Sequence, residues 1–134
     1  MFFYINPSNG VPVYEQVARQ ITFAIASGGI QAGELVPSVR LLSRELAVNP
    51  NTVARAYRQL QDAGVLETVR GEGLLVTRGA PQKCRTTRKQ LLSRRIVSVL
   101  EEARQSQLSE EEIKSLMDAG LAESRKTFQK NQTS

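Results

Sequence analysis

Between Asn49 and Gly64 the chain carries both the start and the stop signals of a single helix. Asn49 is a favoured N-cap. Pro50 suits the first helical position, where its missing N–H has no intrahelical partner, and Gly64 supplies a left-handed stop. Within these limits Val53, Ala56, Tyr57 and Leu60 line one side, while Asn51, Thr52, Arg55 and Gln59 fall together on the other. The apolar stripe must be buried against other elements, which forces the polar side outward. A helix that only faces water usually carries Glu/Lys pairs at i,i+4. This one instead presents amides, a hydroxyl and an arginine, with no carboxylate before Asp62. Such groups hydrogen-bond base edges and phosphates, and a helix N-terminus adds free N–H groups suited to a phosphate.

The flanking segments build a frame around this helix. Ser38 can cap a short helix running to about Leu46, with Val39, Leu42 and Leu46 inward and Arg40 and Arg44 outward. A break at Ala47-Val48-Asn49-Pro50 then gives the outline of a helix-turn-helix, whose second helix enters the DNA major groove. Upstream, the turn formers Asn6-Pro7-Ser8-Asn9-Gly10 precede an amphipathic helix that starts at Pro12, carries Val13, Val17, Ile21, Ala24 and Ile25 on one side, and ends at Ser27-Gly28-Gly29. Residues 30–36 leave room for only a turn or a brief β-bridge. Downstream, Leu66–Arg70 and Leu74–Thr77 are β-prone runs around Gly71-Glu72-Gly73, the pattern of a hairpin. Glycines at its tip allow backbone to approach a duplex closely, and Arg70 places charge beside them. Glu72 repels phosphate unless it turns away. The expected fold is mainly α with a small β-wing: a winged helix-turn-helix over residues 1–79.

Residues 80–134 are expected to form a two-helix dimerisation tail with a basic linker and a fraying polar end from Thr127. The first helix is expected from Thr87 to Gln105, with Leu92, Ile96, Val99, Leu100 and Ala103 along one side. Ser109-Glu110-Glu111-Glu112 has the form of a capping box for the second, whose stripe is Ile113, Leu116, Met117, Gly120 and Leu121. Two such helices cannot bury their stripes alone. A second copy would do so and would supply the two-fold symmetry that palindromic operators need; folding back onto the winged helix is the other solution. Charge is uneven. Residues 1–79 hold seven Lys/Arg and six Asp/Glu, whereas residues 80–100 hold Lys83, Arg85, Arg88, Lys89, Arg94 and Arg95 and no acid. A basic block suits a polyanion or a solvated helix face.

The inventory also excludes chemistry. With no histidine and one cysteine, Cys84, neither a disulfide framework nor a Cys/His zinc site can form, and Ser-His or Cys-His catalysis has no base. No enzyme activity, catalytic residue, metal or cofactor is expected. Cys84 could be a redox sensor between Lys83 and Arg85, although an exposed, inert linker thiol is the simpler expectation. No apolar run approaches the roughly 18 residues a membrane helix needs. The N-terminus lacks the basic n-region of a signal peptide, so a cytoplasmic location without a membrane partner is expected.

Three segments, PVYEQVARQI, IQAGELVPSVRLLSREL and NPNTVARAYRQLQDAGVLETVRGEGLLV, together resemble the winged-helix domain of the GntR superfamily of bacterial regulators. Asn-Pro-Asn-Thr-Val followed by Ala-Tyr is similar to the YtrA and MocR branches, and the two-helix tail is similar to the YtrA type. The resemblance implies that Arg40, the arginine of Pro-Ser-x-Arg, contacts DNA. It implies the same for Asn49, Asn51, Thr52 and Arg55, and it places Gly71 and Gly73 in the minor groove. Some branches have arginines where this chain has Pro50 and Ala54, so those two contacts are not carried over, and Leu74-Leu75 replaces the commoner Thr-Phe. The expected function is a sequence-specific transcriptional regulator, a repressor, that binds a palindromic operator on double-stranded DNA as a homodimer. The alternative is a winged-helix module for protein–protein assembly without specific DNA readout. The short tail cannot by itself enclose a sizeable ligand pocket, which leaves the existence of a small-molecule effector open.

Overall fold

The computed structural model describes residues 5–6 and 10–133, so Pro7–Asn9 of the expected N-terminal turn lie outside the described residues. The elements run α1 (Val13–Ala26), α2 (Val39–Leu46), α3 (Pro50–Asp62), β1 (Leu66–Val69), β2 (Gly73–Val76), α4 (Ala80–Gln105) and α5 (Glu110–Thr133). The fold is mainly α with a two-stranded wing. Internal contacts divide the chain into two compact units, Met1–Leu91 and Leu92–Ser134.

In the first unit, local signals set the helix ends. Pro12 occupies the N-cap position of α1, and its carbonyl accepts from the Glu15 and Gln16 amides. The Gln16 side chain donates to the Asn6 and Val11 carbonyls and accepts from the Asn6 amide, which clips the incoming chain to α1. Ser38 Oγ accepts from the Leu41 amide at 3.1 Å at the start of α2. Ala47 then turns the chain in the left-handed region, φ 55° and ψ 44°, a conformation that a side chain makes unfavourable. Asn49 Oδ1 accepts from the Asn51 amide at 2.8 Å, Pro50 opens α3, and Gly64, at φ +77°, follows its end.

The core is built around the inner side of α3. Val53, Ala56, Tyr57 and Leu60 are buried against Val17, Ile21 and Ile25 of α1, Leu42 of α2, and Leu66 and Val76 of the wing. The Tyr57 hydroxyl donates to the Pro37 carbonyl at 2.6 Å and so ties the entry of α2 to α3. Burial pushes that hydroxyl well above the usual phenol range, and the nearby Glu45 carboxylate adds to the shift. The strands pair antiparallel in the register Leu66↔Val76 to Val69↔Gly73. The short segment before α2 adds to this sheet: Leu35 bridges Leu75, and Gly33, Glu34 and Val36 exchange backbone hydrogen bonds with Val76 and Leu74 at 2.9 Å.

The expected start of α4 at Thr87 is corrected to Ala80. Ala80 and Cys84, one turn apart, are both fully buried in the core of the first unit, so burial extends the helix back through what looked like a basic linker. Pro81 falls in the first turn, where it is tolerated. The lead-in is pinned as well: Thr77 Oγ1 donates to the Gly64 carbonyl at 2.7 Å, and the Lys83 ammonium lies against Gly64, beyond the C-terminus of α3 where the helix dipole favours a cation. Cys84 is therefore not an exposed linker thiol. Burial raises its pKa, opposed in part by Arg85.

The second unit holds the rest of α4 and all of α5. Gln107, at φ +66°, turns the chain, and the expected capping box is present. Ser109 Oγ accepts from the Glu112 amide, and the Glu112 carboxylate accepts from the Ser109 amide, each at 3.1 Å. Ile113 is buried, and Arg104 pairs with Glu110 at 2.8 Å. α5 continues to Thr133, past the polar stretch that starts at Thr127. Among the described residues, no helix is long and apolar enough to cross a membrane.

Two outcomes follow for the core. Tyr57→Phe leaves the Pro37 carbonyl without its donor and lowers stability by about 1–2 kcal/mol in urea unfolding. Because the folded state raises the Tyr57 pKa, its contribution is complete below the ordinary phenol value of about 10 and is lost as pH climbs beyond it; Tyr57→Phe therefore shows a shallower alkaline loss. Cys84 in the native full chain reacts with a thiol reagent only at the rate at which the core opens. Labelling as fast as that of the unfolded chain would contradict its burial.

Candidate nucleic-acid interface

All eight residues expected to contact DNA lie in the first unit. Arg40, Asn49, Asn51, Arg55, Arg70, Gly71 and Gly73 are exposed, and Thr52 is half-buried. The position of α3 follows directly from its buried stripe: with Val53, Ala56, Tyr57 and Leu60 inward, Asn51 and Arg55, one turn apart, must point away from the core. Arg40 projects from the exposed side of α2, which Ser38 caps and the Tyr57–Pro37 hydrogen bond anchors.

Two of these side chains have work inside the protein. The Asn49 oxygen is taken up by the first turn of α3. The Arg55 guanidinium stacks over the ring of Tyr14, with Cζ 3.8 Å from the ring centroid. Tyr14 escaped the sequence reading; the available signal was an aromatic residue lying beside the Val13, Val17, Ile21 stripe rather than on it. Among the described residues the ion pairs are Arg19–Glu15 and Arg104–Glu110, so Arg40, Arg55 and Arg70 face no carboxylate partner. The surface therefore offers hydrogen-bond donors and unneutralised cations, a set that matches an anionic, acceptor-rich ligand.

The wing is joined to α3 through Gln61, whose amide donates to Thr68 Oγ1 at 3.1 Å. At its tip Gly71 has φ +81° and Gly73 φ +127°, and a Cβ built at either would meet nothing within 4 Å. Glycine is needed there for the backbone conformation and not to relieve crowding. Glu72 is exposed. Within the basic block the Lys83 ammonium lies near Gly64, Arg85 donates to Gln82 Oε1 at 3.0 Å, and Lys83, Lys89, Arg94 and Arg95 are exposed. Among the described residues, no cluster of three or more His, Cys, Asp or Glu could hold a metal ion.

Comparison with known proteins adds a family. Residues 13–76 match the family described as "Bacterial regulatory proteins, gntR family". The HTH-type transcriptional repressor YtrA of Bacillus subtilis (strain 168) is 38% identical over 76 residues, which is 57% of this chain and 58% of that protein. The chain spans 57% to 64% of the length of the first curated relatives it matches. Among solved structures, a GntR family transcriptional regulator from Listeria monocytogenes superposes with a TM-score of 0.67 at 26% identity, covering 84% of this chain and 97% of that one. A transcriptional antiterminator from Listeria monocytogenes EGD-e gives 0.64 at 31% identity and covers 89% of each chain.

Proposed function

Because this chain belongs to the GntR family, we propose that it is a sequence-specific DNA-binding transcriptional regulator, acting as a repressor, that binds a palindromic operator as a homodimer. The observation that carries this reading is the outward side of α3, which presents Asn51, Thr52 and Arg55 at its N-terminal half with no carboxylate before Asp62. A recognition helix meets DNA at that end, where amides and hydroxyls read base edges and a guanidinium can read a base or grip a phosphate. Arg40 adds a cation from α2. Arg70, Gly71 and Gly73 bring the wing to the minor groove. Such a regulator works in the cytoplasm.

The homodimer is supported by the second unit. Leu92, Ile96, Val99, Leu116, Met117 and Leu121 are each at least 40% exposed. Leu92, Arg95, Ile96, Val99 and Met117 line a groove of about 350 Å³. Apolar surface gathered in this way marks an interaction site, and a second copy of the same helices covers it with two-fold symmetry. That symmetry is what an operator made of two inverted half-sites requires. No small-molecule effector is assigned.

Selection from a random duplex pool, using the full chain, tests the reading directly: it yields an inverted repeat. On the selected duplex Arg40→Ala and Asn51→Ala each weaken binding by about 1–3 kcal/mol and relax the preference at one position. Recovery of no preferred sequence, together with salt-insensitive partner binding, would point instead to a protein-assembly module. Ile96→Glu puts a charge in the apolar groove. By sedimentation it runs as a monomer with its helical content intact, and it loses about tenfold or more in affinity for the inverted repeat. A wild-type chain that is monomeric at micromolar concentration would overturn the dimer.

A further inference from the structure

Arg55 differs from the other cations of the α3 surface in having a fixed seat. Its guanidinium carbon is 3.8 Å from the centroid of the Tyr14 ring, within the range of a cation–π contact. Tyr14 is held in turn. It is the second residue of α1, whose start is set by the Pro12 cap and the Gln16 clip, and α1 packs on α3 through Val17, Ile21, Val53 and Ala56 in the shared core. The one nearby carboxylate in sequence, Glu15, faces Arg19 at 3.5 Å instead.

Stacking uses the flat side of a guanidinium and leaves its edges open. All five N–H donors lie in the plane of the group, so an arginine lying on a ring can still grip an anion edge-on. The stack also draws Arg55 sideways toward α1, while base edges are read from the N-terminal end of a recognition helix. Building on the DNA-binding reading above, we propose that Tyr14 is a positioning residue that holds the Arg55 guanidinium ready for a backbone phosphate, making Arg55 a phosphate anchor and not a base reader. A free arginine must give up side-chain freedom when it binds; a pre-stacked one has given up much of it already. The ligand class is a phosphodiester, and sequence specificity is left to Asn51 and Thr52 of α3 with Arg40 of α2.

The full chain can be titrated with two probes: the duplex it selects from a random pool, and a random-sequence duplex of equal length. Arg55→Ala weakens both by a similar factor and lowers the slope of log affinity against log salt by about one. Tyr14→Leu weakens both by about two- to fivefold, Tyr14→Phe matches wild type because it keeps the ring, and Tyr14→Leu combined with Arg55→Ala is no weaker than Arg55→Ala alone. Arg55→Lys keeps the charge but not the planar stack, and it also loses about two- to fivefold. That variant decides the matter even where Tyr14→Leu does not fold. The proposal is overturned by wild-type affinity in Tyr14→Leu or in Arg55→Lys, by additive losses in the double variant, or by an Arg55→Ala variant that relaxes sequence preference without weakening the random duplex. A wild-type chain that binds neither duplex overturns the DNA-binding reading along with it, whereas failure of the Tyr14 variants alone leaves that reading in place.

Discussion

The first unit depends on the burial of one side of α3. Val53 and Ala56 are fully buried and Tyr57 and Leu60 nearly so, with α1, α2 and the wing each supplying part of the covering surface. A fully buried side chain the size of Val53 or Leu60 contributes about 1.5–3 kcal/mol, against a net stability for a domain of about 5–15 kcal/mol. Rotating the helix by one residue would expose part of that stripe and push Asn51 or Arg55 into the core. Burying such a group without partners costs about 2–7 kcal/mol for an amide and far more for a charge. The fold and the presentation of the polar side are therefore one constraint.

Much of this was legible from local signals. Ser38, Asn49 and the Ser109–Glu112 box each close hydrogen bonds within three residues, so their roles are written in short stretches of chain and are met in the structure. Gly64 behaves likewise, and the hairpin pairs as two β-prone runs around a glycine tip imply. What could not be read is decided at long range. Ala80 and Cys84 lie in a run of polar and basic residues and look like linker, yet they fill a space that exists only once α1, α3 and the wing are assembled. The Tyr14–Arg55 stack joins two helices far apart in sequence and leaves no periodic trace. For the same reason the sequence showed which residues of α3 face outward but not that one of them is already held.

Charge placement refines the view of how such a surface engages a polyanion. Residues 1–79 are nearly neutral, with seven bases against six acids, so the proposed DNA-facing surface would rely on a few well-placed cations and not on a broad positive field. The chain's positive charge is concentrated in residues 80–100, where Lys83 lies near Gly64 and Arg95 borders the apolar groove. Arg95 beside Leu92, Ile96 and Val99 also keeps the groove from being uniformly greasy, a common way to limit indiscriminate association.

The capping role of Asn49 narrows its chemical vocabulary. Its side-chain oxygen accepts from the Asn51 amide, which leaves its NH₂ group and one lone pair of that oxygen to meet a partner. The major-groove edge of adenine asks for an acceptor and a donor side by side, which an intact carboxamide satisfies with both of its ends. Asn49 has one end anchored to its own helix. Its NH₂ group can address a phosphate, guanine O6 or N7, or thymine O4, whereas a paired contact with adenine would have to share the oxygen with the Asn51 amide. Two asparagines that look interchangeable in the sequence are thus unequal: Asn51 keeps a free two-ended amide, and Asn49 presents a free donor with an oxygen already anchored.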